Sequence, residues 1–353
     1  MITTIERTIN DNKSGGGKCP LVSIAVPIYN VEQYIERCAR SLFEHTYSNL
    51  EFIFVDDASP DKSIQILERV ILDYPERADR IRILHHDVNR GLPETRNTLV
   101  ANATGEFIFH VDSDDWVELN AVELLVNKQL ETGADIVTGN AYIHVDDGER
   151  ILSTSGWDLD KETMLEKVLK DEVSSMFWLR LISRKLYVEH EIKGDVNVSC
   201  CEDYLVFPRL LYYADTVAGI ENRIYHYNYM NTQSRTYAAR HDFRHYIQSY
   251  TAIFSRLSAF FDDKENKWKD ALEKHKVMRY HYMMLKAAYY RDHSNYSKCM
   301  NLLKQTDSRF WYIVRWNKLF FRKLESNYFM ARQTYPIRMF LQKLKYKYRI
   351  SRA

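Results

Sequence analysis

Three carboxylates fall within four positions at the end of an apolar run: Asp112, Asp114 and Asp115, in the segment FIFHVDSDDWVEL from Phe107 to Leu119. Like charges this close resist joint ionisation unless a cation or solvent offsets them. The segment is therefore either a solvated turn, which Asp and Ser suit, or a holder of a divalent cation, for which carboxylate oxygens are natural ligands. Asp112 and Asp114, two apart in an extended segment, project to the same side. One can touch a metal while the other reaches a neighbouring ligand group. Further acidic pairs stand at Asp56–Asp57 and Glu202–Asp203, and Arg96 carries a permanent charge suited to phosphate or base oxygens.

The elements that must position these groups alternate in type. Leu21–Val26 is a continuous apolar strand run, and after Asn30 a helix shows Val31, Tyr34, Ile35, Cys38, Leu42 and Phe43 at 3.6-residue spacing. Strand patterns recur at Glu51–Val55, Ile81–Leu84, Phe107–Val111 and Asp135–Thr138, with helical patterns between them. Such alternation predicts an α/β fold with a mostly parallel central sheet covered by helices on both faces. In such sheets ligands bind beyond the carboxyl ends of the strands. Asp56–Asp57 and Asp112–Asp115 both sit there, which favours the cation over a turn of random polarity. From about Tyr237 the pattern is helical alone and rich in Tyr, Lys and Arg. The expected division is a flexible segment 1–19, a body 20–236 and a helical, basic region 237–353.

Composition narrows the classes. With 353 residues, 45% hydrophobic and 27% charged, the chain can bury a large core. Its 11 glycines form neither GxGxxG nor GxxxxGK[ST], so a Gly-rich phosphate loop is excluded and a carboxylate-held metal is the other common way to neutralise a diphosphate. Five cysteines make no CxxC pair and no even framework, which suits a reducing cytoplasm. The first twenty residues carry no apolar core of the signal-peptide kind, and no apolar run approaches the ~20 residues needed to cross a bilayer. The +1 net charge hides an asymmetry: from Arg309 onward twelve Lys or Arg stand against one acidic residue, Glu325. Wound as a helix from Ile337, this tail aligns Ile337, Phe340, Leu341, Leu344 and Tyr348, flanked by cations such as Arg338, Lys343 and Lys347. That is the pattern of a helix lying on an anionic membrane surface. No nucleic-acid motif accompanies the charge, so no nucleic-acid partner is expected. HDFRH (His241–His245) imitates a zinc-protease helix but has Asp where Glu is needed. YIVRW (Tyr312–Trp316) lacks the Gln of a processive-synthase motif.

Five segments in order resemble the inverting glycosyltransferases of family 2, of the bacterial surface-polysaccharide type, which have the nucleotide-diphosphosugar transferase A fold. They are VSIAVPIYNVEQYIERCARSL, FIFVDDASPDKS, NRGLPETRN (with Thr95 where Ala is usual), HVDSDDWV and CCEDYLVFPRLLYYA. The resemblance spans Pro20 to Tyr237. It implies that Pro27, Tyr29, Asn30, Asp57, Arg96, Asp112 and Ser113 contact a nucleotide-sugar donor, with Tyr29 stacking on uracil and Asp57 accepting its imino proton. Asp114 becomes the principal ligand of Mg²⁺ or Mn²⁺, with Asp112 at ribose or a metal-bound water. Asp203 becomes the general base that deprotonates an acceptor hydroxyl, acting near its reference pKa of ~3.9. Helix capping by Glu202 and Asp203 is the competing account. FWLRLISRKLY resembles an acceptor-side segment usually reading W-x-K-L, so Trp178 could stack on a sugar while Arg180 replaces Lys. Ser234 and Arg235 fall in a loop expected to close over the donor, with Glu202 on the acceptor side.

The expected function is metal-dependent inverting transfer of one sugar, by preference from a UDP-sugar, to a lipid-linked or growing glycan at the inner membrane face, as in capsule or O-antigen assembly. The alternatives are a non-catalytic sugar-nucleotide binding module and a sugar nucleotidyltransferase, though PIYNVEQYI lacks the Gly- and Lys/Arg-rich opening loop of the latter.

Overall fold

The computed structural model describes residues 19–145, 148–152, 155–234 and 243–317. Strands β1 (Val22–Ile28) and β2 (Leu50–Asp56) are buried along almost their whole length, as parallel strands covered on both faces must be. They pair in parallel, Ile24 opposite Phe52, and β3 (Ile81–His85) and β4 (Phe107–His110) extend the parallel group on either side. Helices α1 (Ile35–Phe43), α2 (Ser63–Ile71) and α3 (Leu92–Asn102) make the crossovers. The alternating pleat divides the core in two. Ile24, Val26, Phe52 and Phe54 face α1 and α2, whereas Ala25, Ile53 and Val55 face α3 and the helices that follow later in the chain.

Beyond β4 the sheet is mixed. The remaining strands are β5 (Trp116–Val117), β6 (Ile136–Val145), β7 (Gly148–Ile151), β8 (Arg180–Ser183) and β9 (Val217–Asn228). The order is β3-β2-β1-β4-β8-β6-β9-β5, with β7 on β6. Here β4–β8, β8–β6, β9–β5 and β6–β7 are antiparallel, while β6–β9 is parallel. The α/β architecture is the expected one, but the continuous parallel run stops at β4, and beyond it only the β6–β9 pair among the described strands is parallel.

Helix α4 (Ala121–Thr132) covers the α1 face, and α5 (Lys161–Leu169), α6 (Arg184–Glu189) and α7 (Glu202–Tyr213) lie on the other side. The helices α8 (Phe243–Phe261), α9 (Asn266–Tyr289) and α10 (His293–Lys304) follow. Phe254, Phe261, Trp268 and Met284 belong to the same apolar cluster as Leu165 and Phe207, so the helical region shares a core with the sheet-bearing body.

One close approach limits the second half of the sheet. Gly219 on β9 pairs with Thr138, and a Cβ placed there would lie 1.9 Å from the Trp157 carbonyl oxygen. Gly219→Ala is expected to cost about 1–3 kcal/mol. The measurement is a lower urea midpoint at unchanged slope.

Candidate active site

A cavity of about 620 Å³ opens beyond the carboxyl ends of β1, β2 and β4 and is closed on its far side by α7, α8 and α9. Pro27, Tyr29, Asn30, Asp57, Arg96, Asp112, Ser113, Asp114, Trp178, Glu202, Asp203 and Ser234 all line it. Arg180 does not, and Arg235 lies outside the described residues.

The β1–α1 turn holds Asn30 at φ 56°. Its backbone N–H donates to Ser59 Oγ at 2.7 Å, and its Nδ2 donates to Gln233 Oε1 at 3.0 Å, from the far side of the cavity mouth. Tyr29 beside it keeps 45% of its surface exposed, leaving a ring face available. Asp57 is nearly sealed. Its carboxylate accepts the backbone N–H groups of Arg90 and Gly91, each at 2.8 Å, and meets His86 Nδ1 at 2.8 Å. The loop it fastens begins α3, and Gly91 there adopts φ 86°, a region that favours glycine. Fixing that loop sets the first turn of α3 and therefore Arg96.

Arg96 joins the two acidic motifs. Its Nη2 donates to Asp112 Oδ1 at 2.9 Å and its Nε to Glu202 Oε1 at 3.3 Å. Nη1 is buried with no hydrogen-bond partner. Burial works against the charge, but Asp112, Asp203 and Glu202 outweigh it and hold the guanidinium pKa above its ordinary value.

The three clustered carboxylates have separate fates. Asp115 is 1% exposed, accepting the Tyr225 hydroxyl at 2.8 Å and the Asn228 backbone N–H at 2.7 Å, so it binds the end of β9 to this loop. Asp112 takes Arg96. Asp114 accepts Asn231 Nδ2 at 2.7 Å. Burial, and then the Asp112 charge, push the Asp114 carboxyl up to about 6 against that hydrogen bond. A freely solvated turn is therefore not what the segment forms. Asp112 and Asp114 together face the cavity with two carboxylates against one guanidinium and one amide. That surplus of negative oxygen fits a hard divalent cation such as Mg²⁺ or Mn²⁺.

On the opposite wall, Cys201 caps α7 in the left-handed region, φ 60°, and makes no side-chain cap bond. Glu202 and Asp203 sit in the first turn, free to point at the cavity rather than to serve as the cap. Asp203 Oδ1 is buried without a partner. Burial, then the Glu202 charge, raise the Asp203 carboxyl well above the carboxylate range, while Arg96 and Arg180 pull the other way. The near-reference pKa expected from sequence is corrected by this enclosure.

Arg180 is 0% exposed and donates to the carbonyls of Met176, Ser174 and Ser155, with its guanidinium 4.0 Å over Phe207. It pins the segment carrying Trp178, and burial lowers its pKa to about 9. Trp178 is itself 2% exposed, stacked on Tyr225 and Tyr227 at 4.4 and 5.4 Å, so its faces are already taken.

Several lining residues were not singled out in the sequence: Asn231 and Gln233, and a wall of Tyr246, Tyr250, Tyr282 and Lys286 contributed by α8 and α9. Helix-spaced tyrosines are the only signal they give. The basic helix from Ile337 and His241 of HDFRH fall outside the described residues, and no helix among the described residues is long and apolar enough to cross a membrane.

Comparisons with known proteins give the family and the fold. The family model "Glycosyl transferase family 2" matches residues 23–189. Glycosyltransferase GlyG of Streptococcus pneumoniae serotype 4 is 31% identical over 218 residues, covering 59% of this chain and 70% of that protein. Among solved structures, S. aureus TarS 1-349 in complex with UDP-GlcNAc superposes with a TM-score of 0.55 at 18% identity, over 81% of this chain and 92% of that one. The mannosyltransferase PcManGT from Pyrobaculum calidifontis, in complex with GDP-Man and Mn²⁺, gives 0.53 at 16% identity, over 92% and 87%. At these identities the structures speak for the fold alone.

The raised Asp114 carboxyl has a stability consequence. Its contribution is fully present below the unfolded value of ~3.9 and is lost as pH rises through about 6. Asp114→Asn is expected to stabilise the metal-free protein at pH 7.5 by up to about 3 kcal/mol, with no gain near pH 4. Melting temperatures of the two proteins across that range provide the check.

Proposed function

Since the chain belongs to glycosyl transferase family 2, we propose that it carries out inverting transfer of one sugar from a nucleotide-diphosphate sugar, preferentially a UDP-sugar, to a hydroxyl of a lipid-linked or growing glycan. The observation that supports this most is that Asp114 and Asp203, 89 positions apart, line one cavity with Arg96 linking their motifs. Tyr29 offers its open face to the base, and Asp57 lines the same end of the cavity while holding the loop that begins α3. Arg96 supplies a fixed positive charge beside the diphosphate. Asp114, with Asp112, would hold a divalent cation, Mn²⁺ or Mg²⁺, whose charge offsets that of the departing diphosphate. Asp203 takes the proton of the acceptor hydroxyl as its oxygen attacks the anomeric carbon from the side opposite the leaving group. A carboxyl raised towards the working pH is a stronger base than a solvated one, which suits that role. Tyr246, Tyr250 and Tyr282 give the acceptor side flat faces with polar edges, the surface on which a sugar packs well.

Asp203→Asn separates this reading from a non-catalytic binding module. Turnover should fall roughly 10²–10⁴-fold while donor affinity is kept. Release of nucleoside diphosphate and equilibrium donor binding are the two measurements, and full activity in the variant would end the assignment.

For the acceptor's location we propose the cytoplasmic membrane face, on the strength of the cationic, amphipathic pattern after Ile337. A protein ending at Arg309 is expected to lose flotation with anionic liposomes that the full chain retains. Equal flotation of both would remove the membrane role.

A further inference from the structure

On the face of β9 turned away from Trp178, a second constellation stands apart from the acidic cluster. His144 on β6, Glu149 on β7 and His226 on β9 each place a ligand atom within 4.8 Å of the other two. His144 Nε2 lies 3.0 Å from His226 Nδ1, and His144 Nδ1 lies 3.3 Å from a Glu149 oxygen. Two ring nitrogens at that distance cannot both present lone pairs, so a proton or a cation must lie between them. Glu118 accepts from His226 Nε2 at 2.8 Å, which fixes the tautomer and leaves the His226 Nδ1 lone pair facing His144. A carboxylate holding the far nitrogen of a histidine is the usual outer support of a metal-bound imidazole.

The rings are also held in place. Trp116 stacks on His226 at 4.9 Å and 6° and lies 4.4 Å from His144, while Tyr142 stacks on His226 at 5.1 Å. Both histidines are largely buried, with 15% and 13% of the side chain exposed. Glu118 and Glu149 flank the histidine pair, and Arg37, 3.4 Å over Trp116, and Arg223, 5.5 Å over Tyr142, lie on the outer side of the same stack.

We propose that His144 and His226, with Glu149 on the far nitrogen of His144 as Glu118 is on that of His226, form a binding site for a divalent transition cation of the Zn²⁺ type, distinct from the oxygen-only pair Asp112 and Asp114. Imidazole ligands favour Zn²⁺, Co²⁺ or Ni²⁺, whereas Mg²⁺ and Mn²⁺ prefer carboxylate oxygen. The ion ties together β6, β7 and β9. That junction is the root of the segment reaching the cavity: the Tyr229 backbone N–H donates to the His144 carbonyl at 3.1 Å, and Asn231 and Gln233 lie just beyond.

The test titrates the metal-free full chain with Co²⁺ and follows its visible absorption, which is intense for few-coordinate, nitrogen-ligated Co²⁺ and faint for Co²⁺ among oxygens. One absorbing equivalent, displaced by one equivalent of Zn²⁺, is expected in the wild type and in Asp114→Asn, and none in His226→Ala. Glu149 is exposed, so Glu149→Gln should fold normally and bind at least about tenfold more weakly. It decides the matter should His226→Ala fail to fold. The proposal is overturned by a wild type with no absorbing Co²⁺, by a band that survives in His226→Ala or vanishes in Asp114→Asn, or by unchanged affinity in Glu149→Gln.

Discussion

A single buried guanidinium organises this molecule's working face. Arg96 stands between Asp112 and Glu202, joining a loop after β4 to the start of a helix 90 positions away in sequence. Charges taken out of water need partners, and breaking a buried pair leaves an uncompensated ion at a cost of several kcal/mol. The neighbouring carboxylates have no such relief. Asp114 and Asp203 flank the Arg96 system in the same low-dielectric enclosure, and both are driven towards their protonated forms. The cavity thus holds more negative valence than Arg96 and Lys286 can balance, the arrangement expected of a place that receives positive charge and protons from outside the chain.

Positioning Arg96 falls to residues that never touch the carboxylates it joins. Asp57 fastens the backbone at Arg90 and Gly91, the glycine turns the chain into α3, and Arg96 follows one turn later. On the other side, Asp115 fixes β9 through Tyr225 and Asn228, and Tyr225 in turn supports Trp178. These contacts explain why one acidic residue of the triplet lies inside the protein while its neighbours face the cavity.

Much of this was legible beforehand, and the reasons for success and failure are physical. Strands β1, β2 and β4 are buried on both faces, so they read as largely apolar runs, β2 and β4 leading into acid, and the cavity stands where those ends converge. By contrast, β9 escaped notice: one face buries Tyr225 and brings Tyr227 to the cavity wall, and the other carries His226 into an aromatic stack, so its residues look like a polar loop. Arg180 invited an acceptor role by its place beside Trp178, yet three carbonyls and a phenyl ring consume its charge. The raised Asp203 carboxyl could not be read at all, because enclosure is a property of α7 packed against distant segments. The tyrosine wall from α8 and α9 belongs to the same class, since helix-spaced aromatics report burial without saying what they surround.

The Asn231 amide is an internal partner for Asp114. Its Nδ2 donates to Asp114 Oδ2, and Gln233, two residues on, accepts from Asn30 Nδ2 across the opening. A ligand seeking that oxygen would meet a neutral amide already in residence, and three consecutive residues carry both the contact at the cavity floor and the contact at its rim.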